Sequence, residues 1–431
     1  MSDRALLAEL HRAARDEVHA GRALGRELAA RDPGPGPFVL LAAGKAACAM
    51  AEAARGALGA RIVRGAVTTK DGHGRALAGL ALREASHPVP DARSERAGRE
   101  ALALADGLSG SEELLVLLSG GASALWCAPA PGLALADKRA ANEQLLRGGV
   151  AIAELNAVRK HLSALKGGGL VRAAAGRRVR VYAVSDVPGD ALADIGSGPA
   201  SADPTRFADA LAALRAHRLE RDFPPAALAR LERGAAGGLE ETLKSGDPLA
   251  AACEGRVVAS LESALGAALR EAAARGLRVR SLGRALDADV AALAGALAAR
   301  VRSAANDGID LLVAGGEPTV SVRGSGRGGR AQELALRLAL ALADLPGWTA
   351  LCAGTDGSDG PTDAAGAFAD PDLPARAQAL GCDPRAHLAR SDVHPLLAAT
   401  GDLFRTGPTE TNVSDVVLVR VRRPGAQGTM A

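Results

Sequence analysis

Short apolar runs alternate with longer stretches of helical period through the first half of the chain, the pattern of α/β units built round a mostly parallel sheet. Residues 38–43, 62–69, 113–118 and 179–184 are compact apolar runs of strand length, which predicts buried strands. Helical periods follow at 45–55, 91–107 and 136–165, the last closed by Gly167-Gly-Gly169. Residues 203–245 read as short helices and a Gly/Pro-broken linker. A second series then predicts strands at 256–259, 277–282 and 310–314, with helices at 262–275 and 287–305. It ends with a hairpin partner at 320–323, a helix at 330–342, and strands at 349–353 and 415–422.

One hydrophobic core stops growing at about 250–300 residues, so 431 residues predict two domains. The boundary falls near 245, giving an N-terminal parallel-sheet, Rossmann-like α/β domain at 1–245 and a C-terminal α/β domain at 246–431, with a cleft between them. A hydrophobic fraction of 48% excludes disorder as the main state, and the 52 glycines suit many tight strand-to-helix turns.

A net charge of +3 without a basic tail, with only five Phe, two Trp and one Tyr, argues against nucleic-acid binding. Five cysteines without a C-x-x-C pair indicate neither a zinc site nor a disulfide framework. The N-terminal segment carries acidic residues throughout and apolar residues at helical spacing, unlike a signal or transit peptide, and no apolar run is long enough for a membrane span. A cytoplasmic protein, monomeric or homodimeric, is the expectation.

Ligands of parallel α/β sheets bind beyond the carboxyl ends of the strands, so those loops carry the candidate chemistry. Ala42-Ala-Gly44-Lys45 sets a cation where a helix begins, which suits phosphate. Only six of the 52 cations are lysines, and Lys45, Lys160 and Lys166 fall in Gly-bearing or junction segments. Ser119-Gly120-Gly121-Ala122-Ser123 offers small residues and backbone N–H groups to an anion, but is neither a nucleophile elbow nor a Walker A loop. Ser185-Asp186-Val-Pro-Gly-Asp190 follows a strand with two carboxylates, continuing to Asp194 and Asp203. Mg²⁺, which takes one or two carboxylates plus substrate phosphates, fits such a loop.

Gly324-Ser-Gly-Arg-Gly328-Gly329 matches G-x-G-x-x-G but lies far along the chain, follows a predicted hairpin strand and lacks the acidic ribose partner. With Arg323, Arg327 and Arg330 it reads instead as a phosphate lid. Glu317, and Asp356 within the acidic loop 354–363, add carboxylates. His87 precedes a proline and His161 falls on a helix, and each is weaker evidence.

Together these segments resemble the glycerate 2-kinase family with a C-terminal MOFRL domain. The matching stretches are Gly44-Lys-Ala-Ala47, Ser86-His-Pro-Val-Pro-Asp91, Leu118-Ser-Gly-Gly-Ala-Ser-Ala124, Leu155-Asn-Ala-Val-Arg-Lys-His-Leu-Ser163 with Lys166-Gly-Gly, and Ser185-Asp-Val-Pro-Gly-Asp190 with Ser197-Gly-Pro199. In the second half they are Gly315-Gly316-Glu317-Pro-Thr319, Gly328-Gly-Arg-Ala-Gln-Glu333, residues 354–363, and Thr406-Gly-Pro-Thr-Glu-Thr-Asn412. The chain departs from the family at Ala331 and Ser414, where Asn is usual, at Glu410, where Gly is usual, and at Trp126-Cys127, where Leu-Glu is usual.

The resemblance implies transfer of a phosphoryl group from ATP, with Mg²⁺, to the 2-hydroxyl of D-glycerate. It matches Lys45 and Arg330 to the family's essential cations and Asp190 to its acidic site residue; Asp186 is added by proximity. Asp186 and Asp190 would hold Mg²⁺ or accept the hydroxyl proton, either fitting either role. Nucleotide contacts would come from Gly44, Ser119, Gly120, Gly121, Ala122, Ser123, Gly316, Glu317, Gly328 and Asp356. Two other readings are a hydroxypyruvate reductase using NAD(P)H and a non-catalytic nucleotide- or sugar-acid-binding protein.

Overall fold

The computed structural model describes residues 1–422. Its contacts divide the chain into two compact units, Ala20–Val258 and a second made of Met1–His19 with Ala259–Ala431.

The Ala20–Val258 unit is built on a sheet of β1 (Phe38–Ala43), β2 (Ile62–Lys70), β3 (Ala81–Ala85), β4 (Glu113–Leu118), β5 (Val179–Val184) and β6 (Cys253–Ala259), in the order β3-β2-β1-β4-β5-β6. β1 pairs in parallel with β2 and β4, β2 with β3, and β4 with β5. All six residues of β1 are buried because helices cover both faces, which is why the run Phe-Val-Leu-Leu-Ala-Ala carries no polar alternation. Val39, Leu41, Val116 and Val181 join one core, while helices Leu135–Arg147, Ile152–His161, Phe207–Ala216 and Pro225–Ala235 pack round Leu155, Phe207 and Leu231 in another. The single helix predicted at 136–165 is two. Gly148 closes the first by donating to Gln144 O at 2.9 Å, and Gly149 turns the chain at φ +63°.

The second unit holds β7 (Val279–Arg284), β8 (Leu311–Gly316), β9 (Trp348–Gly354), β10 (Gly366–Ala369), β11 (Leu403–Phe404) and β12 (Asp415–Val421), ordered β11-β10-β9-β12-β8-β7. Here only β7 and β8 run in parallel; β12 enters between β8 and β9 antiparallel to both. The predicted hairpin strand at 320–323 is absent, and the chain makes only an isolated bridge, Thr319 to Asp289, before running on as loop. Helix Asp3–Glu17 buries Leu6, Leu7, Leu10 and Ala14 on one stripe and packs against helix Leu261–Ala274. The predicted boundary at 245 therefore differs from the contact division in two ways: β6 completes the first sheet, and the N-terminal helix belongs to the second unit. Among the described residues no helix is long and apolar enough to cross a membrane.

Candidate functional site

In the first sheet the strand order reverses between β1 and β4, the switch point at whose crevice open α/β sheets bind ligands. The loops leaving both strands are sequence-predicted site segments. Gly44 N donates to Thr68 O at 3.2 Å, Lys45 N to Gly120 O at 2.9 Å, and Ala46 N to the Ser119 hydroxyl at 3.1 Å. A side chain at Gly44 is excluded: φ is +133°, and a Cβ would stand 2.1 Å from Ser119 Oγ. Lys45 precedes helix Ala47–Leu58 instead of opening it, because its N–H is spent on the neighbouring loop. Ala122–Leu125 is one helical turn, so Ser119–Ser123 presents a turn and not the mouth of a long helix.

Lys166 joins a third loop to these. Its buried ammonium donates to Ser123 O at 2.9 Å, Ser123 Oγ at 2.8 Å and Gly196 O at 3.3 Å, and Ser123 Oγ lies 3.0 Å from Ser197 Oγ. Gly167 N and Gly168 N donate to Ser197 O and Gly198 O at 3.1 and 2.8 Å, so the turn after Lys166 pins the far end of the loop that follows β5. Asp186 and Asp190 occupy the near end, at the same carboxyl edge of the sheet. Asp190 has φ +54°, and its N–H reaches Val187 O at 3.4 Å. Lys160, the third lysine singled out, is instead a structural ion: its ammonium is 2% exposed and pairs with Asp203 at 3.2 Å and Asp194 at 3.4 Å. His161 is likewise internal, bonded to Ala157 O and Glu241.

No group of three or more His, Cys, Asp or Glu that could hold a metal occurs among the described residues. Two carboxylates on one loop are a donor set that Mg²⁺ can share with phosphate oxygens.

A cavity of about 560 Å³ opens beside Gly121 and Ser123, bounded also by His87, Lys138, Arg159 and Lys166. A Cβ on Gly121 would lie 3.0 Å from His87 Cδ2 and 3.6 Å from Lys45 Cγ, so Lys45 reaches this corner too. Burial, then the charges of Lys45 and Lys70, pull the His87 pKa down to about 4 and leave the ring neutral. Burial, then the Lys138 charge, likewise pushes the Lys166 ammonium well below its ordinary range.

In the other unit Arg330 opens helix Arg330–Ala341, as predicted. Its Nε and Nη2 donate to both oxygens of Asp415, at 2.8 and 3.0 Å, and Nη1 donates to Glu317 at 3.0 Å. Asp415 stands opposite Gly316 and Gly354, and a Cβ on Gly354 would be 3.3 Å from Asp415 Oδ1 and 3.5 Å from Asp356 Oδ1. Arg330, Glu317, Gly316 and Asp356 therefore gather about a residue that sequence reasoning missed. Burial drives the Asp415 carboxyl up to about 6 against the pull of Arg330. Burial would lower the Arg330 guanidinium, but Asp415 and Glu317 reverse it and leave it raised, so the bidentate pair is ionised at neutral pH.

Asp359, also missed, caps the same helix through Ala331 N at 3.1 Å and Gln332 N at 2.8 Å; a Cβ on Gly329 would stand 2.2 Å from its carboxyl carbon. The Gly324–Gly329 loop is tied down and not a free lid. Arg323 N bonds Ser391 Oγ and Arg327 N bonds Asp392 Oδ1, each at 2.9 Å, and Gly328 packs on Val393. Of the departures from the family pattern, Trp126 is core and donates to Thr68 Oγ1, Ala331 is 2% exposed, Glu410 and Ser414 adopt φ of +56° and +79°, where Gly or Asn is at ease, and Cys127 is buried and lines the cavity beside Gly121.

Residues 6–232 match the model described as Domain of unknown function (DUF4147), and residues 310–415 match the MOFRL family. A D-glycerate 2-kinase from Thermotoga maritima is 36% identical over 88% of this chain and 89% of its own, and a Homo sapiens glycerate kinase 35% identical over 92% and 87%. A protein of Agrobacterium vitis named "Putative hydroxypyruvate reductase" is 42% identical over 88% of this chain and 86% of its own. The crystal structure of the Thermotoga maritima glycerate kinase superposes with a TM-score of 0.86 at 34% identity, covering 97% of this chain and 99% of that one. The chain belongs to the glycerate 2-kinase family with a C-terminal MOFRL module.

Proposed function

We propose that the chain transfers the γ-phosphoryl group of ATP to the 2-hydroxyl of D-glycerate, giving 2-phospho-D-glycerate. The observation that carries this reading is the joining of the Lys45 loop to Ser119–Ser123, and of Ser123 through Lys166 to Gly196 and Ser197 at the far end of the loop that carries Asp186 and Asp190. Phosphoryl transfer asks for positioning and charge neutralisation more than covalent chemistry. Lys45 supplies a cation and the small-residue loop backbone N–H groups at that edge. Asp190 accepts the acceptor hydroxyl's proton, or with Asp186 holds Mg²⁺, whose chemistry when bound is to neutralise charge on the phosphates. Arg330 keeps two of its five N–H donors beyond the three spent on Asp415 and Glu317, enough for a carboxylate or phosphoryl oxygen.

The name of the 42% identical relative favours a second reading, reduction of hydroxypyruvate. Against it, the loop after β1 has one glycine, Gly44, where a dinucleotide fingerprint has three, and the G-x-G-x-x-G at Gly324–Gly329 follows no strand among the described residues. Incubation with ATP, Mg²⁺ and D-glycerate should release ADP only when glycerate is present, with phosphorus NMR placing the new ester at C2. NADH or NADPH oxidation by hydroxypyruvate without ADP formation would replace the kinase reading, and ligand binding with neither reaction would leave the non-catalytic one.

A further inference from the structure

We propose that the cavity beside Gly121 and Ser123 is a subsite for a small oxyanion, and that Lys138, in the second turn of helix Leu135–Arg147, is the side chain that binds it. This deepens the kinase reading and rests on it for the identity of the oxyanion, a carboxylate or a phosphate group.

Lys138 lies on the face of its helix that also carries Ala141 and Leu145, the positions that the 3.6-residue period turns toward the interior. Its side chain is buried to 9% exposure, and its ammonium has no hydrogen-bond partner among the described residues. An unpaired ammonium held away from water is one of the costliest groups a fold can carry. Of the buried or bonded cations close by, Lys166 donates to Ser123 and Gly196, Arg159 Nε donates to Asn142 Oδ1 at 2.6 Å, and Arg147 pairs with Glu143, while Arg139 stands exposed at the rim. Three N–H donors of Lys138 are thus left for something that enters the cavity.

The cavity's charge says what that something is. Lys138, Arg139, Arg147, Arg159 and Lys166 line it, against a single carboxylate, Glu143, which Arg147 occupies at 2.7 Å. Val89, Ala124 and Leu146 add apolar wall beside Asn142 and Cys127, with Val89 and Leu146 at the exposed mouth. Burial, then the charges of Arg159 and Arg230, push the Lys138 pKa down against the opposing pull of Cys127 and Glu95, and an oxyanion opposite it favours the charged form. The corner shared by Gly121, His87 and Lys45 borders the same cavity, which sets the subsite next to the residue read as the phosphoryl-binding cation.

The test is binding without nucleotide. Wild-type protein and Lys138→Met are titrated with D-glycerate, inorganic phosphate and uncharged glycerol, followed by calorimetry and by the shift in Tm. Glycerate or phosphate should bind wild type, glycerol should not, and Lys138→Met should weaken the anion roughly 10- to 100-fold, the range of one charge-assisted hydrogen bond. Loss of glycerate binding identifies the acceptor carboxylate; loss of phosphate binding alone identifies a phosphoryl oxygen. Methionine keeps the length of the stem and removes the unpaired charge, so the unliganded variant should melt no lower than wild type.

Should Lys138→Met fail to fold, amine acylation of the wild type, read by peptide mass spectrometry, decides: bound anion must protect Lys138 and glycerol must not. Unchanged anion affinity in Lys138→Met, or no protection, overturns the subsite. ADP release is assayed separately, so a protein that binds glycerate through Lys138 yet forms no ADP sinks the kinase reading and leaves the subsite standing.

Discussion

Arg330 holds both carboxylate oxygens of Asp415, at 2.8 and 3.0 Å, across 85 residues of sequence, and Asp415 has 5% of its side chain exposed. Arginine's planar fork makes that geometry, and lysine cannot reproduce it. Arg330→Lys should therefore lower kcat/KM roughly 10²-fold and Arg330→Ala roughly 10³-fold, the range for removing a charge-stabilising donor. Near-wild-type kinetics in folded protein would remove Arg330 from the site and leave it a structural partner of Asp415.

The same pair makes a pH-dependent stability prediction. Arg330→Ala leaves Asp415 buried without its cation, a loss of about 3–5 kcal/mol when the carboxyl is ionised. Its folded pKa, already up to about 6, would rise further above the unfolded value. A raised carboxyl binds more protons folded than unfolded, so the variant's stability falls as pH rises from about 4 through that pKa. Denaturation at pH 5 and pH 8 should show the variant closer to wild type at pH 5. An equal deficit at both would mean that Asp415 does not titrate in this range.

Asp190 allows a substitution that isolates chemistry from backbone. At φ +54° it occupies the left-handed region, which asparagine tolerates nearly as well as aspartate and alanine does not. Asp190→Asn should keep the wild-type Tm and lose turnover on the order of 10²–10⁴-fold, the contribution of a general base or charge partner. Asp190→Ala should add a stability loss of about 1 kcal/mol. Full activity of Asp190→Asn in excess chelator would return both carboxylates of this loop to the role of turn formers.

Much of this architecture was legible because burial on both faces leaves a simple trace. β1, β4 and β5 lie where their apolar runs predicted, residue for residue, and so do the loops that follow them. Edge strands left a weaker trace: β6 and β7 were predicted only in part, at 256–259 and 277–282, and β3, Ala-Leu-Arg-Glu-Ala, is only partly buried and reads as surface. Asp415 was visible only as the first residue of a strand, since its meaning depends on Arg330 and on two glycines from neighbouring strands. Lys138 was hidden for a different reason. Periodicity assigns its position to the interior, and only the assembled helices show that the residue borders a cavity there with its ammonium unpartnered. Glu410 and Ser414 show the converse, for their left-handed backbone accounts for the Gly and Asn usual in the family.

His11 supplies a prediction about acid stability. It is fully buried, edge-on to Phe404 at 5.3 Å, and burial followed by the charge of Arg15 lowers its pKa from 6.5 to about 3. The unfolded chain therefore binds more protons here than the folded one between pH 6.5 and about 3. Stability from this group is complete above pH 6.5 and is lost as pH falls through that window, at up to about 1.4 kcal/mol per pH unit. His11→Phe should lose less stability than wild type between pH 7 and pH 5 in urea unfolding. Parallel pH profiles for the two proteins would show that the imidazole is protonated inside the fold.

Gly44 tests whether the crevice itself matters. Any Cβ there meets Ser119 Oγ at 2.1 Å and Ser119 O at 2.5 Å, and the backbone holds φ +133°. The clash falls on the peptide of the facing loop, so relief requires the β1 and β4 loops to part and the bond from Lys45 N to Gly120 O to lengthen. Gly44→Ala should cost about 1–3 kcal/mol of stability and also displace Lys45, lowering kcat/KM roughly 10²-fold. Gly59 is the control: at φ +54° it is also left-handed, but nothing lies within 4 Å of its Cβ, and it sits at the far end of helix Ala47–Leu58. Gly59→Ala should show the backbone cost alone, about 1 kcal/mol, with unchanged kinetics. If the two variants lose stability equally and both keep full activity, the close approach of these loops is a packing detail, and the cation at Lys45 acts without it.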